Sequence, residues 1–374
     1  MSKNTKVIIG IIIVVAIVLI GYLIYKPGTP TTNEPIKIGV VLPLTGDLAT
    51  YAEGVRNAIN LAVENSGSKD KIQVIVEDDH GCLPPDAVSA VQKLINLDKV
   101  KAIVGSLCTG ATLAMAPITE QNKVIIIAPS ATGKNLTNAG GYVFRTIASD
   151  VDKSIAVAKY AYSKGFRRAA LLYDSSQDAL VSQRDDVKTT FTGLGGQIAI
   201  EESFISSDKD LRTQLNKIKN SNADMIFLSA VPDSVGLALK QARTLGINTQ
   251  FISTDTSGGT KPVVDIAGSS AEGLIFPFAT TPSNKEYIDF INNYKSKYGI
   301  EPSAYAAEGY DAAMILIKAM FASNGTADSI KDQLFKIGKN YYGASGVITF
   351  DQNGDVQKPM VIKTVKDGQF IEVQ

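Results

Sequence analysis

Three segments of the chain carry small polar residues directly after short apolar runs. Residues 105–112 are rich in Ser and Thr and lead into a predicted helix, and residues 129–133 follow the next apolar run. A helix start offers free backbone N–H groups, which together with hydroxyl groups suit a carboxylate. In the third segment, Asp255 stands among small polar residues and suits an ammonium group. The three segments indicate a site for a zwitterion, although each one alone is also typical of helix capping.

The chain offers little material for catalysis or metal binding. Its 374 residues include one His and two Cys, which is too few for a zinc site or a His-based nucleophilic triad. The glycine-rich residues 193–196 precede a predicted strand at 197–200 instead of following one, and Lys134 follows a single Gly without the flanking residues of a phosphate loop. We therefore expect no enzyme activity, no cofactor and no metal.

The elements that must position the polar segments follow from hydrophobic periodicity. Val55, Ala58, Ile59 and Ala62 form an apolar stripe at helical spacing, which packs a helix on a sheet. Short runs of β-branched and aliphatic residues alternate with such helical segments from residue 36 onward. The predicted strands are 36–42, 72–76, 102–104, 124–128, 169–173, 225–228 and 250–253. The predicted helices are 86–97, 152–163, 210–219, 233–245, 283–298 and 306–322.

This alternation predicts an α/β fold in which doubly wound, mostly parallel sheets carry binding loops at the carboxyl ends of their strands. The pattern is too long for one sheet, and it restarts with a fresh helix after residues 145–150. We therefore expect two lobes that share one plan. Hinges are expected near residues 147–150 and 276–280, with a third crossing near 352–358.

The N-terminal sequence predicts a membrane anchor. Residues 7–25 contain no charge and are bracketed by Lys6 and Lys26, which matches the length of a membrane-spanning helix. A cleaved signal peptide is the alternative, but its apolar core is normally shorter and ends in a small-x-small site. Lys3 and Lys6 precede the span, so the positive-inside rule places the rest of the chain outside the cytoplasm.

The charge balance excludes one class of partner. The chain has 37 Lys and Arg residues against 37 Asp and Glu residues. A nucleic-acid-binding protein needs a basic excess or a basic stripe to displace counterions from the phosphate backbone. Neither is present in the sequence, so no nucleic-acid partner is expected.

Cys82 and Cys108 are the only cysteines of the chain. An even pair outside the cytoplasm favours a disulfide, which on the chain-entropy model would contribute about 3 kcal/mol of stability. Two buried thiols are the alternative.

Several motifs of this sequence resemble those of a known family, the type I solute-binding proteins of ABC importers, and in particular its leucine/isoleucine/valine-binding group. The resemblance spans about residues 36–373. The motifs that carry it are Gly39-Val40-Val41-Leu42-Pro43-Leu44-Thr45-Gly46, Glu77-Asp78-Asp79 with a following Cys, Gly105-Ser106-Leu107-Cys108, Ala128-Pro129-Ser130-Ala131-Thr132, Arg145-Thr146, and Gln241-Ala242-Arg243 leading through Gly246 to Asp255. The resemblance implies a disulfide and two lobes that close around a ligand.

The resemblance also implies roles for individual residues. It places Thr109, Thr132 and the Ser130 backbone, with the adjoining Ala131, at the α-carboxylate of the ligand, and Asp255 at its ammonium. Tyr51 and Tyr305 match aromatic wall positions. Two positions depart from the family, because Asp178 replaces a frequent aromatic residue and Val231 replaces a Tyr. Asp178 makes the pocket more acidic if it faces the cleft, and otherwise it is a solvent-facing residue of a helix start.

The domain organisation expected from these arguments has four parts. Residues 1–26 form a cytoplasmic stub and membrane anchor, and residues 27–35 form a Pro/Thr tether. Residues 36–148 with 279–356 form the first lobe, and residues 149–278 with 357–374 form the second lobe. Such a two-lobed fold, resembling type I periplasmic binding proteins, would be held at the cell membrane with its soluble body outside.

The resemblance implies a function in transport. The expected protein is the substrate-binding protein of an ABC transporter that captures an amino acid, branched-chain or polar, or a similar small solute, and delivers it to a membrane permease. The alternative is the ligand-sensing ectodomain of a signalling receptor with the same fold, although a stub of six residues before the anchor would need a separate signalling partner. A hydrolase or transferase is disfavoured because no acid, base and nucleophile form a workable set.

Overall fold

The computed structural model describes residues 35–373, so the predicted anchor at residues 7–25 lies outside the described residues. Five strands form the first sheet: β1 (Ile36–Leu42), β2 (Ile72–Asp78), β3 (Ala102–Gly105), β4 (Ile125–Ala128) and β5 (Val143–Arg145). They lie in the order β2-β1-β3-β4-β5, and β1 with β3, β3 with β4 and β4 with β5 are parallel. The carboxyl ends of β3 and β4 are therefore neighbours.

Helices from two separate parts of the chain pack around this sheet. They are α1 (Ala49–Asn65), α2 (Pro84–Asn96) and α3 (Thr109–Asn122) from the first part. The second part supplies α10 (Lys285–Tyr298), α11 (Ala306–Ala322) and α12 (Ala327–Ile337). The predicted stripe on α1 is buried as expected, and Val55 lies against Gly309 of α11, where a Cβ would lie 2.7 Å from Val55 Cγ1.

The second sheet has seven strands: β6 (Arg168–Asp174), β7 (Gln197–Phe204), β8 (Met225–Ser229), β9 (Gln250–Ile252), β10 (Ile275–Ala279), β13 (Met360–Lys366) and β14 (Gln369–Glu372). They lie in the order β14-β13-β10-β9-β8-β6-β7. Its helices are α4 (Asp150–Ser163), α5 (Asp178–Gly193), α6 (Arg212–Lys219), α7 (Pro232–Thr244), α8 (Asp255–Gly258) and α9 (Lys261–Ala267). The strands from β6 to β10 pair in parallel, and β13 and β14 are added antiparallel.

The predicted two-lobed α/β architecture is confirmed, and the bounds of the listed strands and helices agree with the structure to within two residues. Periodicity located these elements because each has one strongly apolar face or a continuous apolar core run. It did not locate the strands β5, β10, β13 and β14, nor the separate two-stranded hairpin β11 (Tyr341–Gly343) and β12 (Gly346–Ile348), most of which are only three to five residues long. It also did not locate three helices after residue 254, at 255–258, 261–267 and 327–337, and the strand predicted at 197–200 covers only the first half of β7.

Three connections join the two sheets and lie side by side. Ala148, which follows β5, bridges Val356 in parallel. Thr280, which follows β10, donates from its backbone N to Pro359 O over 2.9 Å. The predicted hinge at 276–280 therefore overlaps a sheet strand, and the connection itself begins at Thr280. The lobe bounds given above stay a prediction.

The expected disulfide is present between Cys82 and Cys108, whose Cα atoms are 5.8 Å apart. It links the loop after β2 to the residue before α3. Within residues 35–373, no helix has the length and apolar character that a membrane crossing requires.

Candidate functional site

The loops after β3 and β4 are joined to each other by hydrogen bonds. Thr109, the first residue of α3, accepts a hydrogen bond at Oγ1 from Gly133 N over 3.0 Å. Ser130 Oγ donates to Leu107 O over 2.6 Å. A Cβ at Gly133 would lie 2.5 Å from Thr109 Cγ2, so glycine permits this close approach. The two hydroxyl-rich segments thus form one surface at the sheet edge, as parallel pairing of β3 and β4 requires.

A chain of polar contacts connects this surface to Asp255 in the second lobe. Thr132 Oγ1 donates to Asp150 Oδ2 over 3.0 Å, and Asp150 N donates to Thr132 O over 2.9 Å. Lys153, one turn later in α4, places its Nζ 3.3 Å from Asp150 Oδ1 and 2.9 Å from Asp255 Oδ2. Lys153 therefore lies between two carboxylates.

Lys153 sets the charge around Asp255. Its side chain is only 5% exposed. Burial by itself would lower the pKa of Lys153, but the carboxylates of Asp255 and Asp150 outweigh this effect and raise the pKa, so the side chain stays cationic at neutral pH. Asp255 Oδ1 is buried and accepts no hydrogen bond within residues 35–373. Asp255 therefore keeps one acceptor after its pairing with Lys153.

A cavity of about 310 Å³ lies beside Asp255, where the three connections meet. Asp255 and Lys153 form part of its wall, and Tyr305 and Glu308 contribute from the start of α11. Tyr305 is held at φ 66° and ψ 0°, in the left-handed region that a bulky residue rarely adopts. Such backbone strain concentrates at binding sites. The remaining wall consists of Ile147, Ala148, Phe278, Ala279, Thr280, Thr281, Pro282, Tyr287, Ala304, Ala307, Ala344, Ser345 and Lys358.

Glu308 and Lys358 form a second pair of opposite charges in this wall. Burial raises the pKa of the Glu308 carboxyl, and the charge of Lys358 opposes that rise. Burial also lowers the pKa of Lys358, against the charges of Glu308 and Asp311. Lys358 Nζ donates to Ser345 O and Ser345 Oγ, both at 2.7 Å. The Lys358 ammonium is thus directed to Ser345, while the charge of Glu308 raises the pKa of Lys358 from a distance.

The structure brings some of the predicted site residues together. Asp255 and Tyr305 line the cavity, and the Tyr51 ring centroid is 6.4 Å from that of Tyr305. The predicted carboxylate-binding residues lie at the strand ends of the first lobe; they are Thr109, Ser130, Ala131 and Thr132.

Two predicted residues lie elsewhere. Asp178 is an exposed residue at the first position of α5, and Val231 directly precedes α7. Neither residue lines the cavity beside Asp255, and the same holds for Tyr51, Thr109, Ser130, Ala131 and Thr132.

Sequence reasoning missed three charged residues of the cavity wall. Lys153 carries a signal, since it occupies the buried stripe of α4 four residues before Val157. Glu308 lies in the first turn of a mostly apolar helix, where an acidic residue also fits an exposed helix start. Lys358 stands in a connection, and no local pattern distinguishes it. In the described part of the chain, no three His, Cys, Asp or Glu side chains are grouped to hold a metal ion.

Comparisons with known proteins place this geometry in a family. The family model described as periplasmic binding protein matches residues 35–369. The leucine-, isoleucine-, valine-, threonine- and alanine-binding protein of Pseudomonas aeruginosa is 27% identical over 91% of this chain and 91% of its own length.

Solved structures agree with this match. A leucine-binding protein of Thermotoga maritima is 32% identical, with a TM-score of 0.76, over 91% of this chain and 98% of the other. A branched-chain amino acid transporter substrate-binding protein of Streptococcus pneumoniae, solved with isoleucine, is 26% identical, with a TM-score of 0.73, over 91% of this chain and 100% of the other. The resemblance inferred from the motifs is confirmed, and the chain belongs to the periplasmic binding protein family.

Proposed function

We propose that this chain is the substrate-binding protein of an ABC importer and captures an amino acid or a similar small solute between its two lobes. The observation that carries the proposal is the chain of contacts from Thr132 through Asp150 and Lys153 to Asp255. This series of contacts joins a surface rich in hydroxyl and N–H groups on one lobe to a carboxylate on the other lobe. Its two ends have the chemistry that a carboxylate and an ammonium require.

The proposed ligand lies between these two ends. Its α-carboxylate contacts Thr109, Thr132 and the backbone at Ser130 and Ala131, and its ammonium contacts the free Oδ1 of Asp255. Tyr51 and Tyr305 form an aromatic wall. Asp178 and Val231 stay predictions for the far wall of the second lobe. The Pseudomonas aeruginosa relative, named for binding leucine, isoleucine, valine, threonine and alanine, supports an amino acid as the ligand.

The proposed assembly also includes a membrane and a permease. Residues 7–25 anchor the chain in the cell membrane, with the binding lobes outside the cytoplasm, because the segment is uncharged and has the length of a bilayer-spanning helix. The lobes comprise residues 36–148 with 279–356, and 149–278 with 357–374. The loaded lobes deliver the solute to the permease.

Isothermal titration of the full-length chain tests the ammonium contact. Leucine and threonine are compared with the matching carboxylic acids that lack the amino group. We expect the acids to bind at least about 30-fold more weakly, since a shielded charge pair contributes about 2–5 kcal/mol. Asp255→Asn should weaken binding of the amino acids by a similar factor and should leave binding of the acids almost unchanged.

Asp265→Asn is the matched control, because Asp265 is an exposed residue of α9 paired with Lys261 at the surface. Asp265→Asn should bind the amino acids and the acids with wild-type affinity. Equal affinity for an amino acid and its des-amino acid, or an Asp255→Asn effect below threefold, contradicts the proposed role of Asp255. If no amino acid binds, the proposed ligand class is wrong.

A further inference from the structure

The cavity beside Asp255 has two acceptor groups that differ in their surroundings. Asp255 shares one oxygen with Lys153, and its other oxygen is buried without a hydrogen-bond partner within residues 35–373. Glu308 belongs to the same wall, and Lys358, the cation that acts on it most, is held by hydrogen bonds to Ser345. The Glu308 carboxylate is thus positioned to accept a donor that enters the cavity.

The start of α11 holds Glu308 at this place. Thr146 Oγ1 donates to the Glu308 backbone carbonyl over 3.0 Å, which ties the first turn of α11 to the connection after β5. Tyr305, three residues earlier, is fixed in the left-handed backbone region and also lines the cavity. The acceptor is therefore part of a rigid wall and not the end of a mobile loop.

Glu308 is half-buried in the cavity wall, and within residues 35–373 no other residue donates a hydrogen bond to its carboxylate. Such a carboxylate favours a polar ligand side chain over an apolar one, because a hydrogen bond from the ligand stabilises its charged form. An alkyl side chain in the same place would leave the carboxylate unpaired and would remove water from it, which is costly. A cavity with such a hydrogen-bonding group therefore discriminates against ligands that lack the matching group.

We propose that Glu308 is a specificity-determining residue and that this protein binds amino acids whose side chain carries a hydroxyl or amide donor in preference to branched alkyl side chains. The inference rests on the proposed function, with the ligand ammonium at Asp255. The side chain then extends into the cavity, and its hydroxyl or amide group donates to the Glu308 carboxylate. The apolar remainder of the wall, including Phe278 and Ala307, contacts the rest of the side chain.

Two pairs of amino acids with nearly equal shape test this preference in the full-length chain. Threonine and valine differ by a hydroxyl against a methyl group, and asparagine and leucine differ by an amide against an isopropyl group. Isothermal titration should show threonine and asparagine binding at least about tenfold more tightly than valine and leucine, respectively. In Glu308→Leu, both ratios should fall below threefold.

Two further variants make the test specific. Glu301→Leu is the matched control, because Glu301 is an exposed residue paired with Lys295 at the surface, and it should retain the wild-type ratios. Glu308→Gln keeps the shape of the side chain in case Glu308→Leu does not fold. Because hydrogen bonds to a charged acceptor are stronger than those to a neutral one, Glu308→Gln should lower both ratios at least threefold.

The outcomes separate this inference from the proposed function. Wild-type ratios below threefold, or ratios that survive in both Glu308 variants, overturn the inference while amino-acid binding stands. If none of the four amino acids binds, the amino-acid ligand of the proposed function is wrong, and the inference falls with it.

Discussion

Lys153 determines how much charge Asp255 offers to a ligand. Its Nζ lies 3.3 Å from Asp150 Oδ1 and 2.9 Å from Asp255 Oδ2, and one lysine beside two aspartates leaves a formal charge of minus one. A single ammonium from a ligand balances that charge. Without Lys153, the two carboxylates would face each other with no cation between them, and their mutual repulsion would be unbalanced. Lys153 therefore holds Asp150 and Asp255 together beside the cavity.

The first prediction concerns Lys153→Met. This substitution keeps the apolar length of the side chain and leaves Asp150 and Asp255, whose side chains are 13% and 17% exposed, without a cation. Removing one partner of a buried ion pair typically costs 3–5 kcal/mol, so we expect the free energy of unfolding to fall by about that amount. Urea denaturation followed by circular dichroism measures the loss.

Lys159→Met on the exposed face of the same helix is the control, and it should change stability by less than about 0.5 kcal/mol. The double variant Lys153→Met with Asp255→Asn should recover part of the lost stability, since it removes one of the two unpaired carboxylates. A Lys153→Met protein within 1 kcal/mol of wild type would show that the triad has no structural role.

At the scale of elements, the end of β3 and the start of α3 are placed by a backbone approach and a covalent link. Gly105 ends β3 at φ +134°, and a Cβ there would lie 2.0 Å from the Val41 carbonyl oxygen of β1. Three residues later, Cys108 precedes α3 and is bonded to Cys82. The N-terminus of α3, with Thr109, is therefore fixed against the sheet from both sides.

The second prediction concerns Gly105→Ala. The added Cβ meets backbone atoms that cannot rotate away, and its φ is unfavourable for any residue with a Cβ. We expect the free energy of unfolding to fall by at least about 2 kcal/mol, and the affinity for the amino acid to fall as well because Thr109 moves with the strand end. Thermal denaturation and titration measure the two effects.

Gly193→Ala is the control for the change of residue type. Gly193 ends α5, and a Cβ there meets no atom within 4 Å. The free energy of unfolding of Gly193→Ala should equal that of wild type or be slightly higher, since Ala has a higher helix propensity than Gly. If Gly105→Ala is as stable as Gly193→Ala, the close approach of β3 to β1 does not constrain the site.

For the whole molecule, the expected motion is closure of the two lobes about the three adjacent connections. Such motion needs few dihedral changes when the connections lie side by side, as Ala148 with Val356 and Thr280 with Pro359 do. Away from the hinge, Lys134, after β4, forms an ion pair with Asp186 of α5. This pair links the two lobes in the present arrangement.

The third prediction concerns Asp186→Asn. An ion pair with one half-exposed partner contributes about 0.2–1 kcal/mol, so its loss should shift the balance of open and closed forms by up to about fivefold towards the open form. Small-angle scattering of the ligand-free protein should give a larger radius of gyration than in wild type, and saturating amino acid should reduce the radius in both proteins.

Asp185→Asn is the matched control, because the neighbouring Asp185 is half exposed and pairs with Arg184 of the same helix. It should leave the radius unchanged. A wild-type radius that is the same with and without ligand would contradict closure itself, whereas equal radii for Asp186→Asn and wild type would contradict only the role of the ion pair.

The sequence alone determined most of the elements and the polar segments at the strand ends of the first lobe. Helix and strand bounds were predictable because an amphipathic period is a local property of the chain. The loops with Thr109, Ser130 and Thr132 were predictable as neighbours because parallel strands place their carboxyl ends at one edge. The motifs around Cys108 and Asp255 also sufficed to predict the family.

Only the tertiary structure decided what surrounds Asp255. Its pairing with Lys153, and the meeting of Glu308 and Lys358 in one cavity, join residues that are far apart in the chain. No periodicity records such contacts, because they depend on how α4, α11 and the connections pack against each other. Burial then decides the charge behaviour of these groups, since the same lysine or glutamate on the surface would be screened by water and would have little effect on a ligand.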